Sequence, residues 1–364
     1  MVITRIREEV LSSPRLSDSR GRFGGVVVIG GANIDLRGKP AGEVLERHTS
    51  NPGKINVGSG GVGRNIAHNL ALLSVPVTLL SAVGDDGEGI RILEETGKAG
   101  VKTDQMIISG EHPTGIYLAI LDEKGEMEVA VSDMRILEEV TVEHLRSKAY
   151  LVKESKIVVM DTNIPEQSIE YVVDLCNKVK VPLLIEPVSV KKARKLRKIL
   201  DGRGKGRGSE RWAIDYITPS EDELESILGA ETERDSDQDE GIDVDVVKAA
   251  EELRRKGAKN VIVTLGKRGI HVSCGGDDEG RKEDWNKFMA PYRGEVVDVT
   301  GAGDALVAGL VYGIYKGYSL EIAARFGLGA AALTISTKEA VRRDLREGLL
   351  RSRIEEEKER GGLL

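Results

Sequence analysis

The stretch Val297-Asp-Val-Thr-Gly-Ala-Gly-Asp304, continued by Ala305-Leu-Val-Ala-Gly-Leu-Val-Tyr312, decides how this chain reads. Its first half is small, turn-forming and acidic. Its second half predicts a buried helix. The backbone N–H groups of Gly301, Ala302 and Gly303 would then head that helix, where orphan donors and the positive end of the dipole make an anion site. Glycines let a phosphate approach without Cβ obstruction. Asp304 is the candidate base: a carboxylate beside a bound phosphoryl costs repulsion unless it takes a proton from an attacking hydroxyl. The same residue types also suit a plain helix cap on a Gly-rich turn.

A second glycine cluster lies far upstream, Gly58-Ser-Gly60-Gly61-Val-Gly63-Arg-Asn65. It contains a G-x-G-x-x-G with Asp85 downstream, which is the outline of a dinucleotide site. The preceding Lys54-Ile-Asn-Val57 is too short and polar for the buried strand that site requires. The other reading is that Gly60 and Gly61 bring backbone against a polyhydroxy ligand, with Asn65 offering both donor and acceptor. Asn33 and Asp35 follow the apolar run Val26-Val-Val-Ile29, at a strand end where open α/β sheets bind ligands. They suit sugar hydroxyls, or an Asx turn. Thr264-Leu-Gly-Lys-Arg-Gly269 could border a flat ring such as adenine or merely turn the chain. No Walker A motif occurs, so ATP would bind without a P-loop.

Working outward, strand-like runs at 77–83, 156–160, 182–185, 216–217 and 261–265 alternate with helical patterns at 65–73, 91–99, 166–179, 191–200, 221–228 and 245–256. Residues 114–121 and 126–132 flank a hairpin turn. The alternation predicts a mostly parallel sheet covered by helices. Residues 1–24 read as a peripheral arm, 201–211, 230–244 and 275–287 as surface insertions, and 339–361 as a charged peripheral helix, the last residues 351–364 forming a tail.

The 364 residues are 40% hydrophobic and 31% charged, enough apolar matter for a sizeable core. Aromatics are only 4%, so aliphatic side chains must fill it. With 53 basic and 60 acidic residues the net charge is −7, which argues against nucleic acid as a partner. The ten Lys or Arg in 191–211 read as a solvated face rather than an RNA site. The acidic run Asp235–Gly241 fails the calcium-loop register, since Val246 stands where Glu is needed. Five scattered histidines show no metal-ligand spacing. Two cysteines exclude a disulfide scaffold and fit a reducing cytoplasm. The near-apolar stretch Leu70–Val83 is too short for a bilayer, and the first 24 residues lack a signal-peptide core, so neither membrane nor export is expected.

Taken together, Gly60-Gly61-Val-Gly63-Arg-Asn65-Ile-Ala67 early and Asp298-Val-Thr-Gly-Ala-Gly-Asp304 late resemble the two signatures of the ribokinase-like (PfkB-type) carbohydrate kinases, over about residues 25–340. Further segments resemble the branch of that family that phosphorylates pseudouridine. They are Ser50–Ile55, Asn69–Leu73, Leu79–Gly84, Leu121-Asp with Gly125-Glu-Met127, Asp133-Met134 and Pro187-Val-Ser189.

The resemblance implies a three-layer α/β/α sandwich spanning residues 25–350 with a small β-sheet lid from parts of 36–57 and 106–132. It implies MgATP-dependent transfer to a nucleoside 5′-hydroxyl, a cytoplasmic enzyme and a homodimer. Kinases for adenosine, uridine or ribose, and a non-catalytic binding relative, are the rival readings. Asp304 would be the base, with Gly301, Ala302 and Gly303 as anion hole. Asn33, Asp35, Gly60, Gly61, Asn65 and Asn163 would hold the ribose, and Lys192, Tyr117 and Asp133 would complete the substrate pocket. Thr264, Gly266, Gly269 and Ser220 would border the nucleotide. Glu223 would bind Mg2+, and Asp298 with Thr300 a monovalent cation such as K+. Two departures stand out: Ser220-Glu-Asp-Glu223 has Ser where the family has Asn, and Glu186 precedes Pro187 where Asp is usual.

Overall fold

A computed structural model describes residues 24–42, 45–122, 125–201, 213–229, 244–276 and 284–359. The Val26–Ile29 run forms strand β1, with none of its four residues exposed. It is covered on both edges by parallel partners, β4 (Val77–Leu80) and β9 (Ile157–Asp161). Next come β10 (Leu183–Glu186), β11 (Ile214–Ile217) and β12 (Ala258–Thr264), all parallel, then β13 (Ile270–Cys274) and β14 (Trp285–Met289), which are antiparallel. The eight-stranded order is β14-β13-β12-β11-β10-β9-β1-β4. Chain order reverses beside β1, which opens a crevice at the carboxyl ends of β1 and β9.

Side chains of β1 alternate between two separate cores. Val26 and Val28 join one, and Val27 and Ile29 the other. The first core is covered by helices α1 (Val62–Leu72), α2 (Gly87–Lys98), α6 (Ala302–Tyr315), α7 (Leu320–Ile335) and α8 (Glu347–Glu359). The second is covered by α3 (Glu166–Val179), α4 (Glu221–Leu228) and α5 (Val244–Lys256). This is the three-layer α/β/α sandwich. Helices α6 and α7 approach closely through small residues: a Cβ on Gly309 would lie 2.4 Å from the Phe326 carbonyl oxygen.

A separate four-stranded sheet, ordered β3-β2-β7-β8, forms the lid from β2 (Asn33–Pro40), β3 (Gly53–Gly60), β7 (Ile116–Leu121) and β8 (Met127–Asp133). The hairpin read at 114–132 is its β7–β8 pair. The run 77–83 is two strands, because at Ser81 the chain leaves the large sheet and β5 (Ala82–Gly84) pairs with β6 (Ile107–Ser109) instead. Residues 285–287, read as insertion, belong to β14. The helix 347–359 is no detached tail: Leu350 and Ile354 are buried against the core. The readings for 1–23 and for most of 201–211, 230–244 and 275–284 fall outside the described residues.

Candidate active site

The parallel strands end along one edge, and their carboxyl ends present a row of polar residues. Behind β1, Asn33 donates Nδ2–H to Asp35 Oδ1 at 2.7 Å. Asp35 packs its carboxyl on Gly60, where a Cβ would lie 2.3 Å away. Burial pushes the Asp35 carboxyl above its ordinary range, against the lowering effect of Asn33 and Arg37. Gly61 starts α1 with φ of 97°, and a Cβ there would meet the Gly31 carbonyl oxygen at 2.5 Å. Only glycine lets the helix begin that close to the β1 turn.

At the end of β9 lies Asp161, fully buried. Its Oδ2 accepts N–H from Gly31 and from Gly63, both at 2.8 Å, and its Oδ1 accepts the Asn163 N–H at 2.8 Å. Lys192 donates to Asn163 Oδ1. Burial lowers the Lys192 ammonium below its ordinary value, opposed by Asp161. Asn33, Asp35, Gly60, Gly61, Asn163 and Lys192 are thus linked through pairing and hydrogen bonds at the carboxyl ends of β1 and β9, where Asp161 ties the segments together.

Asp304 lies in the first turn of α6. Its Oδ2 accepts Nδ2–H of Asn65 at 2.8 Å. The N-cap is Gly301, not Asp304, so the carboxyl is no helix cap. Burial, followed by the charges of Asp161 and Asp35, pushes Asp304 up to about 7, while Asn65 and Arg64 act in the opposite direction. A group poised there can accept a proton near neutral pH. Gly301 has φ of 76°, and a Cβ would lie 2.0 Å from the Ala340 carbonyl oxygen. Gly303 opens on free space. The Ala302 N–H is engaged by the Val299 carbonyl at 3.2 Å, whereas among the described residues no carbonyl or side chain takes the N–H of Gly301 or Gly303. The donors available to an anion are therefore Gly301 and Gly303, and Ala302 must first release its turn contact.

Farther along the edge are two more carboxyls. Glu186, at the end of β10, accepts from Thr218 Oγ1 and from the Val188 N–H at 3.3 Å. Burial, Glu223 and Asp304 all push it well above its ordinary range. Glu223 accepts the Ser220 N–H at 2.9 Å, while Ser220 Oγ accepts the Glu223 N–H at 3.3 Å. Ser220 is thus the N-cap of α4 in a capping box. One lone pair of the Ser220 hydroxyl is thereby taken by the helix. Glu223 raises the proton affinity of Glu186, and two carboxyls in mutual range offer the oxygen donors a divalent cation takes. Thr264 ends β12 beside Ser220. Gly266 opens on free space, but Gly269 packs against the Met289 carbonyl, 2.1 Å from where its Cβ would be. Gly269 thus lets the start of β13 lie close against the end of β14.

On the lid, Tyr117 pairs with Asp35 and shares its face. Asp133 pairs with Ile116, one step out of phase, so it stands on the opposite face, and its carboxylate is held by Arg135 at 2.7 Å. It is not brought to the cleft. Asp298 and Thr300 come together, Thr300 N–H to Asp298 Oδ1 at 2.8 Å, but the other oxygen faces Arg37 of β2 at 3.3 Å. The Arg37 guanidinium already supplies a positive charge at this carboxylate, which disfavours a K+ ion beside it.

Residues 24–344 match the family model for pfkB family carbohydrate kinases. The chain belongs to that family. This pfkB-family kinase is 36% identical to the pseudouridine kinase of Escherichia coli (strain K12), over 85% of this chain and 90% of that one. It is 27% identical to the guanosine-inosine kinase of Exiguobacterium acetylicum, over 86% of this chain and 95% of that one. A carbohydrate kinase structure from Agrobacterium tumefaciens superposes with a TM-score of 0.73 at 27% identity, covering 92% of this chain and 97% of that one. The protein is accordingly an ATP-dependent phosphotransferase with a ribokinase-like fold. Among the described residues, no helix is long and apolar enough to cross a membrane.

Three site residues of the kinase escape a sequence reading: Asp161, Arg64 and Arg37. Asp161 ends an apolar strand at the ligand edge, a position that is itself a signal. Arg64 sits inside the quoted glycine motif. Arg37 carries no local signal, because its partner is Asp298, 261 residues away.

Proposed function

We propose that this kinase transfers the γ-phosphoryl of ATP to the 5′-hydroxyl of pseudouridine, giving pseudouridine 5′-phosphate and ADP. The hydrogen bond from Asn65 to Asp304 carries the phosphotransfer reading, because it ties the polyol pocket to the turn built for an anion. The relative of 36% identity supports the choice of nucleoside.

The ribose is held by Asn33, Asp35, Gly60, Gly61 and Asn163, with Lys192 and Tyr117 at its margin. Asp304 takes the O5′ proton as O5′ bonds to the γ-phosphorus. The bond from that phosphorus to the β,γ-bridging oxygen breaks, and ADP leaves. The N–H groups of Gly301 and Gly303, joined by Ala302, receive charge on the migrating group. Thr264 and Gly266 border the nucleotide. Glu223 and Glu186 would hold Mg2+, which neutralises the triphosphate when bound. No step is assigned to K+.

The lid's outer face is apolar in two adjoining rows. Val57, Leu36, Leu118 and Val131 form one, and Ile55, Gly38, Ile120 and Val129 the other. Ile55 is 72% exposed and Val131 64%. We propose that a second copy covers this face in a homodimer, since two such rows can pack against themselves. Cys176 and Cys274 are both buried and neither forms a disulfide, which suits a reducing cytoplasm.

The test is a substrate panel with purified enzyme: pseudouridine, uridine, guanosine, inosine, adenosine and ribose. The highest kcat/KM is expected for pseudouridine. Preference for any other member overturns the substrate assignment, and ligand binding without ADP release overturns the kinase mechanism.

A further inference from the structure

Arg64 is 4% exposed and lies between the two best-defined members of the site. Its Nε donates to Thr96 Oγ1 of α2 at 3.2 Å. One terminal nitrogen donates to the Ser59 carbonyl of β3 and to Asn65 Oδ1, both at 3.1 Å. The charged groups around it are Glu95 on α2, Asp35 on β2, Asp304 on α6 and Arg343 beyond α7. His68, one turn along α1, is pushed down to about 3, first by burial and then by Arg64, so it is neutral and adds no competing charge. Burial also lowers Arg64, to about 10, which still leaves it protonated at neutral pH.

The two ends of an asparagine amide have nearly the same shape and opposite polarity. A guanidinium has donors and no acceptor, so only Oδ1 can face it. Nδ2 is then forced toward Asp304. A flipped amide would set its oxygen against that carboxyl and leave a buried donor facing a cation, each of which is unfavourable. We infer that Arg64 is a positioning residue that fixes the polarity of the Asn65 amide and thereby keeps a donor on the Asp304 carboxylate. The inference rests on the proposed role of Asp304 as base. Arg64 touches neither substrate nor phosphate in this account; it acts through Asn65, beside the direct lowering that its charge exerts on Asp304.

The test is a double-mutant cycle on the intact enzyme with Arg64→Met, Asn65→Leu and the pair, plus Arg64→Lys. Each is read by kcat, KM and the pH dependence of kcat/KM. Arg64→Met is expected to lower kcat by about 10- to 100-fold and to move the acid limb to higher pH. In the Asn65→Leu background the loss in kcat should be much smaller, leaving only the part due to the direct charge of Arg64 on Asp304. Arg64→Lys keeps a cation and a donor and should restore part of the limb's position. Equal losses for Arg64→Met in both backgrounds, or an unmoved acid limb, overturn the inference. If Arg64→Met fails to fold, Thr96→Val removes one anchor of the guanidinium and must shift the limb in the same direction by less. An unmoved limb there is equally fatal. Wild-type turnover in Asp304→Asn would sink the base assignment instead. The cycle, read then by nucleoside affinity, still reports whether position 64 acts through position 65.

Discussion

Asn65 Nδ2 donates to Asp304 Oδ2 at 2.8 Å, so two glycine motifs 239 residues apart in the chain are joined by one hydrogen bond. One motif begins α1 and the other begins α6, and these helices cover the same face of the sheet. Asn65 and the proposed phosphoryl turn are thus both carried on helices packed in one core.

Replacing Asp304 by Asn removes the proton acceptor and leaves a group of the same shape. Turnover is expected to fall by about 10^2- to 10^4-fold, with nucleoside affinity by calorimetry little changed. A variant that binds and turns over normally would exclude Asp304 as base.

Asp304 is pushed up to about 7 chiefly by burial, so the free enzyme's kcat/KM should fall as pH drops through about 7. Stability has the opposite sign. The folded-state pKa lies above the unfolded value, so the folded chain holds more protons between roughly 4 and 7, and this contribution is lost as pH rises. Asp304→Asn should therefore melt higher than wild type above neutrality, and the two should converge in acid. Thermal melts across that range decide it.

Gly301 and Gly303 should respond differently to Ala. At Gly301 the positive φ alone costs about 1–2 kcal/mol, and the new Cβ strikes the Ala340 carbonyl, so melting temperature and activity both drop. At Gly303 nothing lies within 4 Å of the new Cβ, so folding should be unaffected. The methyl group stands where the anion approaches, and kcat/KM for ATP should fall about 10- to 100-fold.

Glu223→Gln removes one of the two carboxylates. The Mg2+ concentration for half-maximal rate should rise about 10-fold or more, with a smaller effect on nucleoside KM. A magnesium titration identical to wild type would remove Glu223 from the metal site.

Arg37 already supplies positive charge to Asp298. Exchange of K+ for a bulky organic cation is expected to leave turnover unchanged, whereas Arg37→Met should acquire a requirement for K+ or Na+. Strong stimulation of the wild type by K+ would contradict this.

Much of the frame was legible because it is local. The Val26–Ile29 run announces a strand covered on both faces, and Glu166–Val179 shows its helical period directly. The split at Ser81 was not legible: both halves are apolar, and only their hydrogen-bond partners differ, Gly30 to the Leu80 carbonyl and Ile107 to the Ser81 carbonyl. Strand β13 was missed because His271 and Ser273 are polar yet fully buried. The motif residues of the site were readable as motifs. Asp133 was misplaced because a single register step sets the face of a strand. Asp161 was legible only as a strand-end position; its partners, N–H groups 130 and 98 residues distant, were not.

That carboxyl also says something about affinity. Gly31, Gly63 and Asn163 come from separate segments, and one side chain pins all three. The floor of the proposed nucleoside chamber is settled during folding, so its arrangement would take nothing from the binding free energy when a guest arrives. In the proposed mechanism the part left to move is the cover above it, whose opening and closing would then enter the tempo of the cycle beside bond making.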